Sequence, residues 1–169
     1  YILVHGPDTK DKYDNFVNGL LALKALTRKI VIEMPSFRKS LIDEIEDNYE
    51  FILDYFKTCV NNGFEICLDT AHLFANGLNV DDMINLMEEF KGNFHFIHLN
   101  GNLNNVGEKD KHTFILDENS KLKDVDKLLT YISTLENVIC IMEIKTLNYT
   151  LYKNMCEKYG LKIVDREIH

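Results

Sequence analysis

Proline and cysteine are scarce in this chain. Only Pro7 and Pro35 occur, so no proline-rich linker divides it. The four cysteines, Cys59, Cys67, Cys140 and Cys156, include no C-x-x-C pair, which excludes a zinc ribbon or a thioredoxin-type site. Cys67 and Cys140 sit inside apolar runs, where a free cysteine behaves as a small hydrophobe. No apolar run approaches the ~20 residues that span a bilayer, and no signal-peptide pattern opens the chain. A reducing compartment, cytoplasm or nucleus, is therefore expected, with a virus particle also compatible. Basic residues are outnumbered, 19 against 27 acidic, for a net charge of −8. That excludes a generally basic nucleic-acid coat but not a local basic patch.

What remains is the composition of a folded protein. The 169 residues are 46% hydrophobic and 27% charged, enough for one domain and too few for two of ordinary size. Five short apolar runs stand out: Tyr1 to Val4, Lys29 to Glu33, Glu65 to Asp69, His95 to Leu99 and Ile139 to Glu143. Continuous apolar runs of about five residues suit strands buried on both faces of a parallel sheet. Between them lie stripes of helical period. Phe16, Leu20, Leu23 and Leu26 form one; Leu41, Ile45, Phe51, Tyr55 and Phe56 a looser second. Met83, Ile84, Leu86, Met87 and Phe90 form a third, behind the first-turn acids Asp81 and Asp82, and Val125, Leu128, Leu129 and Ile132 a fourth. Residues 149 to 159 are expected to form a fifth helix, closed by Gly160. These stripes are core faces, not cofactor boxes. The order, strand then helix five times, is that of an α/β chain.

Each strand ends on a side chain that can ligate a metal or move a proton: His5, Glu33, Asp69, His98 and Glu143. In a parallel sheet these ends share one edge, and in a barrel they converge on one mouth. A lone acid at a strand end often merely caps the next helix. Five of five is a stronger pattern. Gathered carboxylates repel unless a cation neutralises them. Imidazole with carboxylate, without thiolate, suits zinc, manganese or iron. Two pairs add donors. His72 follows Asp69 by about one turn, and Asp110 and His112, at i and i+2, point the same way in an extended segment. His95 lies three residues before His98, so alternation points it to the opposite face, under a helix and away from the site.

These residues carry a family resemblance. Ile66-Cys-Leu-Asp-Thr-Ala-His-Leu-Phe-Ala-Asn-Gly77 closely resembles the signature of endonuclease IV, in which C-[IL]-D-T-[AC]-H-x-[FW]-x-x-G follows a barrel strand. Ile97-His-Leu-Asn100 followed by Gly107-Glu-Lys-Asp-Lys-His112 is similar to that family's H-L-N-D…G-S-x-x-D-R-H segment. Ile30 to Glu33, Ile141 to Glu143 and Val4 to Pro7 resemble three shorter strand-end steps, in the same order and spacing. The resemblance implies a (β/α)₈ TIM barrel of the xylose-isomerase-like group. This chain would supply about five C-terminal βα units as a single domain, 1–169, with the N-terminal units absent from it.

The activity implied is hydrolysis of the DNA phosphodiester 5′ to an abasic site. It leaves a 3′-hydroxyl and a 5′-deoxyribose phosphate and uses up to three zinc ions, with Mn²⁺ or Fe²⁺ as alternatives. By residue, His5 would hold the first ion. Glu33 would bridge to a second, held also by Asp69, His98 and Glu143. His72, Asp110 and His112 would hold a third. Glu33, Glu143 and Asp69 are the implied catalytic residues. The implied partner is double-stranded DNA containing abasic sites; no membrane partner is expected, and a complete barrel would be a monomer. Three features depart from the family pattern: Gly101 stands where the family has aspartate, Lys111 where it has arginine, and Thr113 to Asn119 where it has a Gly-rich stretch. A sugar isomerase or epimerase of the same barrel group, and a non-catalytic scaffold built on the fold, remain as alternatives.

Overall fold

The computed structural model describes residues 1–7, 12–23, 29–37, 39–43, 45–145 and 148–162. Five parallel strands form one sheet: β1 (Ile2–His5), β2 (Ile30–Glu33), β3 (Glu65–Asp69), β4 (Phe94–His98) and, after a small hairpin, β7 (Ile139–Ile141). Their spatial order is the order of the chain. A doubly wound sheet reverses direction at a switch point. Consecutive parallel neighbours are instead the wall of a barrel. A short antiparallel pair, β5 (Gly101–Asn102) with β6 (His112–Thr113), stands outside that sheet. The alternating strand–helix pattern gave no sign of it, because two-residue strands have no period to read.

Among the described residues, seven helices stand where five were expected: α1 (Tyr13–Leu23), α2 (Lys39–Ile42), α3 (Asn48–Asn61), α4 (Thr70–Ala75), α5 (Val80–Glu89), α6 (Val125–Ile132) and α7 (Tyr149–Tyr159). The second stripe is broken between α2 and α3, and the short α4 follows no stripe. Local signals set their ends. Asn79 and Asp82 form a reciprocal capping box at the start of α5, and Gly160 closes α7 at φ 69°, a conformation that costs a glycine little. Met83, Leu86 and Met87 of α5 and Leu128, Leu129 and Ile132 of α6 are buried as their spacing requires. Leu26 and His169 lie outside the described residues.

The two faces of the sheet differ. Ile30 and Ile32 of β2, Ile66 and Leu68 of β3 and Ile97 of β4 join the main core under the helices. Val31 and Cys67, also buried, stand apart from that core and alternate onto the other face. That face is concave. The rings of Tyr1, beside β1, and Phe96, on β4, meet edge to face at 5.2 Å. Three strand spacings, ~14 Å on a flat sheet, separate their backbones. Only strong curvature brings them together. Tyr1, Leu3, Ile139 and Ile141 remain substantially exposed on the two outermost strands.

Candidate metal centre

His5, Glu33, Asp69 and His98 close their strands at one end of the sheet. Glu143 falls two residues beyond β7, where its N–H donates to the side-chain carbonyl of Asn100 at 2.9 Å. His72 comes from the first turn of α4. Asp110 and His112 come from the loop that β5 and β6 close.

Asp69 shows why a strand-end acid need not be either a cap or a ligand. Its Oδ1 accepts from the N–H groups of Ala71 (2.7 Å) and His72 (2.9 Å), capping α4. Its Oδ2 is left to face the other donors. It receives the Asn100 amide at 2.8 Å and lies 3.7 Å from His98 Nδ1 and 3.9 Å from His112 Nε2. Capping therefore orients the oxygen that the site uses.

Glu33 is at the centre and fully buried. Its Oε1 is 3.1 Å from His98 Nδ1 and 3.2 Å from His72 Nδ1, and its Oε2 is 3.3 Å from His5 Nε2. His5 itself is more than half exposed, at the rim. Burial pushes the Glu33 carboxyl up, but hydrogen bonds and positive charge from His72 and His98 outweigh it and bring it down to about 2. Burial likewise opposes protonation of His72, yet Asp110, Glu33 and Asp69 together raise it to about 11. His98 is raised by Glu33, Glu143 and Asp69 against its own burial. The His112 imidazole is raised chiefly by Asp110, whose carboxyl is held well below its usual range by His112 and His72. Without a metal, the imidazoles of His72, His98 and His112 and the carboxyls of Glu33 and Asp110 thus favour each other's charged forms, a polar lattice.

That lattice is incomplete. Glu33 Oε2 and His112 Nε2 are buried with no hydrogen bond, although Asp110 Oδ2 lies 3.1 Å from His112 Nε2. Oxygens of Glu33 (3.1 Å), Glu143 (3.2 Å) and Asp69 (3.7 Å) crowd around His98 Nδ1, which has one proton to give. Convergent acceptors with too few protons are what a divalent cation satisfies. Three groups of candidate ligand atoms, within 4.8 Å of one another, assemble from the expected residues: His5, Glu33 and His72; Glu33, Asp69, His98 and Glu143; Asp69, His72 and His112. These donors fit a metal. The structure differs from the expected partition in two respects. Asp69, rather than Asp110, completes the compact group with His72 and His112. His72 reaches both the Glu33 group and the His112 group, because its Nδ1 turns to Glu33 and to the carbonyl of Met34, 3.0 Å away, while Nε2 faces Asp110 at 3.7 Å.

Several supporting residues escaped the sequence reading. Asn100 clamps Asp69 to the end of β7, and its backbone N–H is fixed by Thr70 Oγ1 at 2.9 Å. Ser36 donates its hydroxyl to Asp110. Asn102 Oδ1 accepts from the N–H groups of Asn104 and Lys111, shaping the turn that presents Asp110 and His112. Their signal was position: each lies within four residues of a candidate ligand. Cys67 was read as a small hydrophobe. Yet it is two residues before Asp69, and its sulfur lies within 4.8 Å of ligand atoms of Glu33 and His98. His95 stays out of the site because of its position along β4, where the register against β3 skips it, rather than by simple alternation. It sits beside Glu65 (3.8 Å) and the carbonyl of Asn137 (3.4 Å) at the far end of the sheet, partly exposed rather than covered by a helix. Gly101 has a steric reason: a Cβ there would lie 2.9 Å from the carbonyl oxygen of Phe114 and 2.8 Å from Ser120 Oγ.

No known family profile and no curated protein matches the chain. Among solved structures, its fold is similar to that of a xylose isomerase domain containing protein from Salmonella typhimurium LT2. The TM-score is 0.55 at 12% identity, over 94% of this chain and 61% of that one. The chain spans about three fifths of that protein, and its architecture is part of an α/β barrel. Among the described residues, no helix is long and apolar enough to cross a membrane.

Proposed function

We propose that the mouth of this sheet is a multinuclear metal centre, with zinc as its metal, that hydrolyses DNA 5′ to abasic sites. The observation that carries the reading is the number of donors. Eight imidazole and carboxylate side chains, drawn from five strand ends, one helix and one loop, meet in overlapping groups. A one- or two-metal isomerase site leaves Asp110 and His112 without a purpose, whereas phosphodiester hydrolysis uses additional cations around one phosphate. The four carboxylates carry −4 and three divalent cations +6, so the loaded mouth attracts phosphate although the protein is acidic.

His5 and Glu33 would hold one ion, Glu33, Asp69, His98 and Glu143 a second, and His72, Asp110 and His112 a third. When bound, such ions neutralise phosphate oxygens and acidify water towards neutral pH. Glu143, the most exposed carboxylate of its group, would take a proton from an attacking water. Asn100, Asn102 and Ser36 hold the ligands in place and spare them reorganisation as charge develops. Three further βα units would complete the eight strands of a closed barrel and cover the exposed apolar residues of β1 and β7.

The fold neighbour favours a second reading, a metal-dependent sugar isomerase, and a single assay separates the two. The full-length protein is offered a duplex with one abasic site and, separately, a panel of aldoses and ketoses, with zinc and after chelation. Chelator-sensitive incision leaving a 3′-hydroxyl, abolished by Glu33→Ala, is the expected result. Sugar interconversion without incision, or full incision by Glu33→Ala, would overturn the proposal.

A further inference from the structure

Cys67 belongs to the strand that ends in Asp69, and its backbone pairs in register with Glu33 of β2. Against β4 the register shifts between Ile66 and Cys67. The residue left unpaired by that shift is His95 of β4, so β3 alternates regularly through Cys67. Between Ile66 and Leu68, which join the helix-side core, its thiol lies on the opposite face, at the floor of the mouth. Its sulfur and ligand atoms of Glu33 and His98 all lie within 4.8 Å of one another, and all three residues are buried. Glu33 Oε2, buried and 3.3 Å from His5 Nε2, has no hydrogen bond. The other cysteines do not compete. Cys59 and Cys156 are in the helix-side core and Cys140 packs against it.

We infer that Cys67 is a sulfur donor to the metal held by Glu33 and His98. The inference rests on the metal-centre reading and refines it by naming the kind of cation that position selects. An oxygen, nitrogen and sulfur set prefers thiophilic ions such as Zn²⁺, Co²⁺ or Cd²⁺ over Mn²⁺ or Mg²⁺. As the metal–sulfur bond forms, the thiol proton passes to the buffer. The pure imidazole and carboxylate set expected from the strand ends discriminates less strongly against manganese.

The test is spectroscopic and independent of catalysis. Full-length protein is stripped with chelator and titrated with Co²⁺. Ligand-field absorption in the visible reports cobalt in the site, and a thiolate-to-cobalt charge-transfer band in the near ultraviolet reports sulfur. Both are expected in the wild type. Cys67→Ser, checked for folding by circular dichroism, should keep the visible bands and lose the ultraviolet one, and its preference for Cd²⁺ over Mn²⁺ should fall by about tenfold or more. A visible spectrum without the charge-transfer band in the wild type overturns the role of Cys67 and leaves the metal centre standing. A charge-transfer band that survives Cys67→Ser also overturns it. Failure of the stripped protein to bind cobalt at all overturns both. If Cys67→Ser does not fold, the wild-type spectrum decides, supported by a ¹¹³Cd resonance that sulfur ligation moves far downfield.

Discussion

Replacing Asn100 by aspartate exchanges one buried NH₂ for an oxygen and tests the polar lattice directly. The Asn100 amide nitrogen is 2.8 Å from Asp69 Oδ2, and its carbonyl oxygen accepts the N–H of Glu143. Aspartate keeps the second bond and turns the first into a contact between two carboxylates. At 2.8 Å and an effective dielectric of about 20, that contact costs roughly 6 kcal/mol if both are charged. Keeping one ordinary carboxyl protonated at pH 7 costs only about 4 kcal/mol. The pair therefore takes up a proton, and the resulting O–H restores the lost hydrogen bond. The folded-state pKa of the pair is raised, so the penalty is absent below the unfolded value and grows as pH rises above it. Relative to wild type, metal-free Asn100→Asp should lose about 4 kcal/mol at pH 7, about 1.5 kcal/mol at pH 5 and almost nothing near pH 4. Urea unfolding of both proteins at each pH, in chelator, measures this. A penalty equal at pH 5 and pH 7, or none at pH 7, would refute the placement of Asn100 against Asp69.

Three further outcomes follow from the same geometry. Metal affinity should rise with pH, because His72, His98 and His112 bind protons tightly in the empty site and must release them to ligate; each proton displaced contributes about tenfold per pH unit. Competition with a chromophoric chelator between pH 6 and 8 reads this, and a flat profile would contradict it. Gly6→Ala should destabilise the protein by about 1–3 kcal/mol, since a Cβ at that position falls 1.7 Å from Tyr55 Oη and 2.9 Å from its Cζ. Adding Tyr55→Phe should recover part of that loss in thermal melts, and no recovery would place the strain elsewhere. Saturating zinc should raise the melting temperature of the wild type and much less that of Glu33→Gln, because ligand binding stabilises only the state that holds the donors together; equal shifts would remove Glu33 from the centre.

Much of this was written in the chain's local patterns. Apolar runs of five residues located β2, β3 and β4 within a residue or two, and helical spacing located α5, α6 and α7, because burial on one face imposes its period on any chain that folds. The convergence of His5, Glu33, Asp69, His98 and Glu143 was legible for a similar reason: parallel strands in sequence order bring their ends to one edge. Residues whose roles depend on what lies across the sheet were not legible. Asn100, Asn102 and Ser36 matter through partners up to 74 positions away, and no local period encodes such a pairing.

Cys67 marks the boundary between the two kinds of information. Alternation alone put it on the face of Asp69, yet an apolar neighbourhood in sequence made it look like core. Only the curvature of the sheet and its pairing with Glu33 separate the floor of the candidate metal site from the interior of a domain. The sequence by itself determined the elements, their order and the chemical character of the mouth, because these follow from local spacing. Distances between side chains, the double use of Asp69 and the sharing of His72 were decided by tertiary structure, because they depend on how separate segments close around one point.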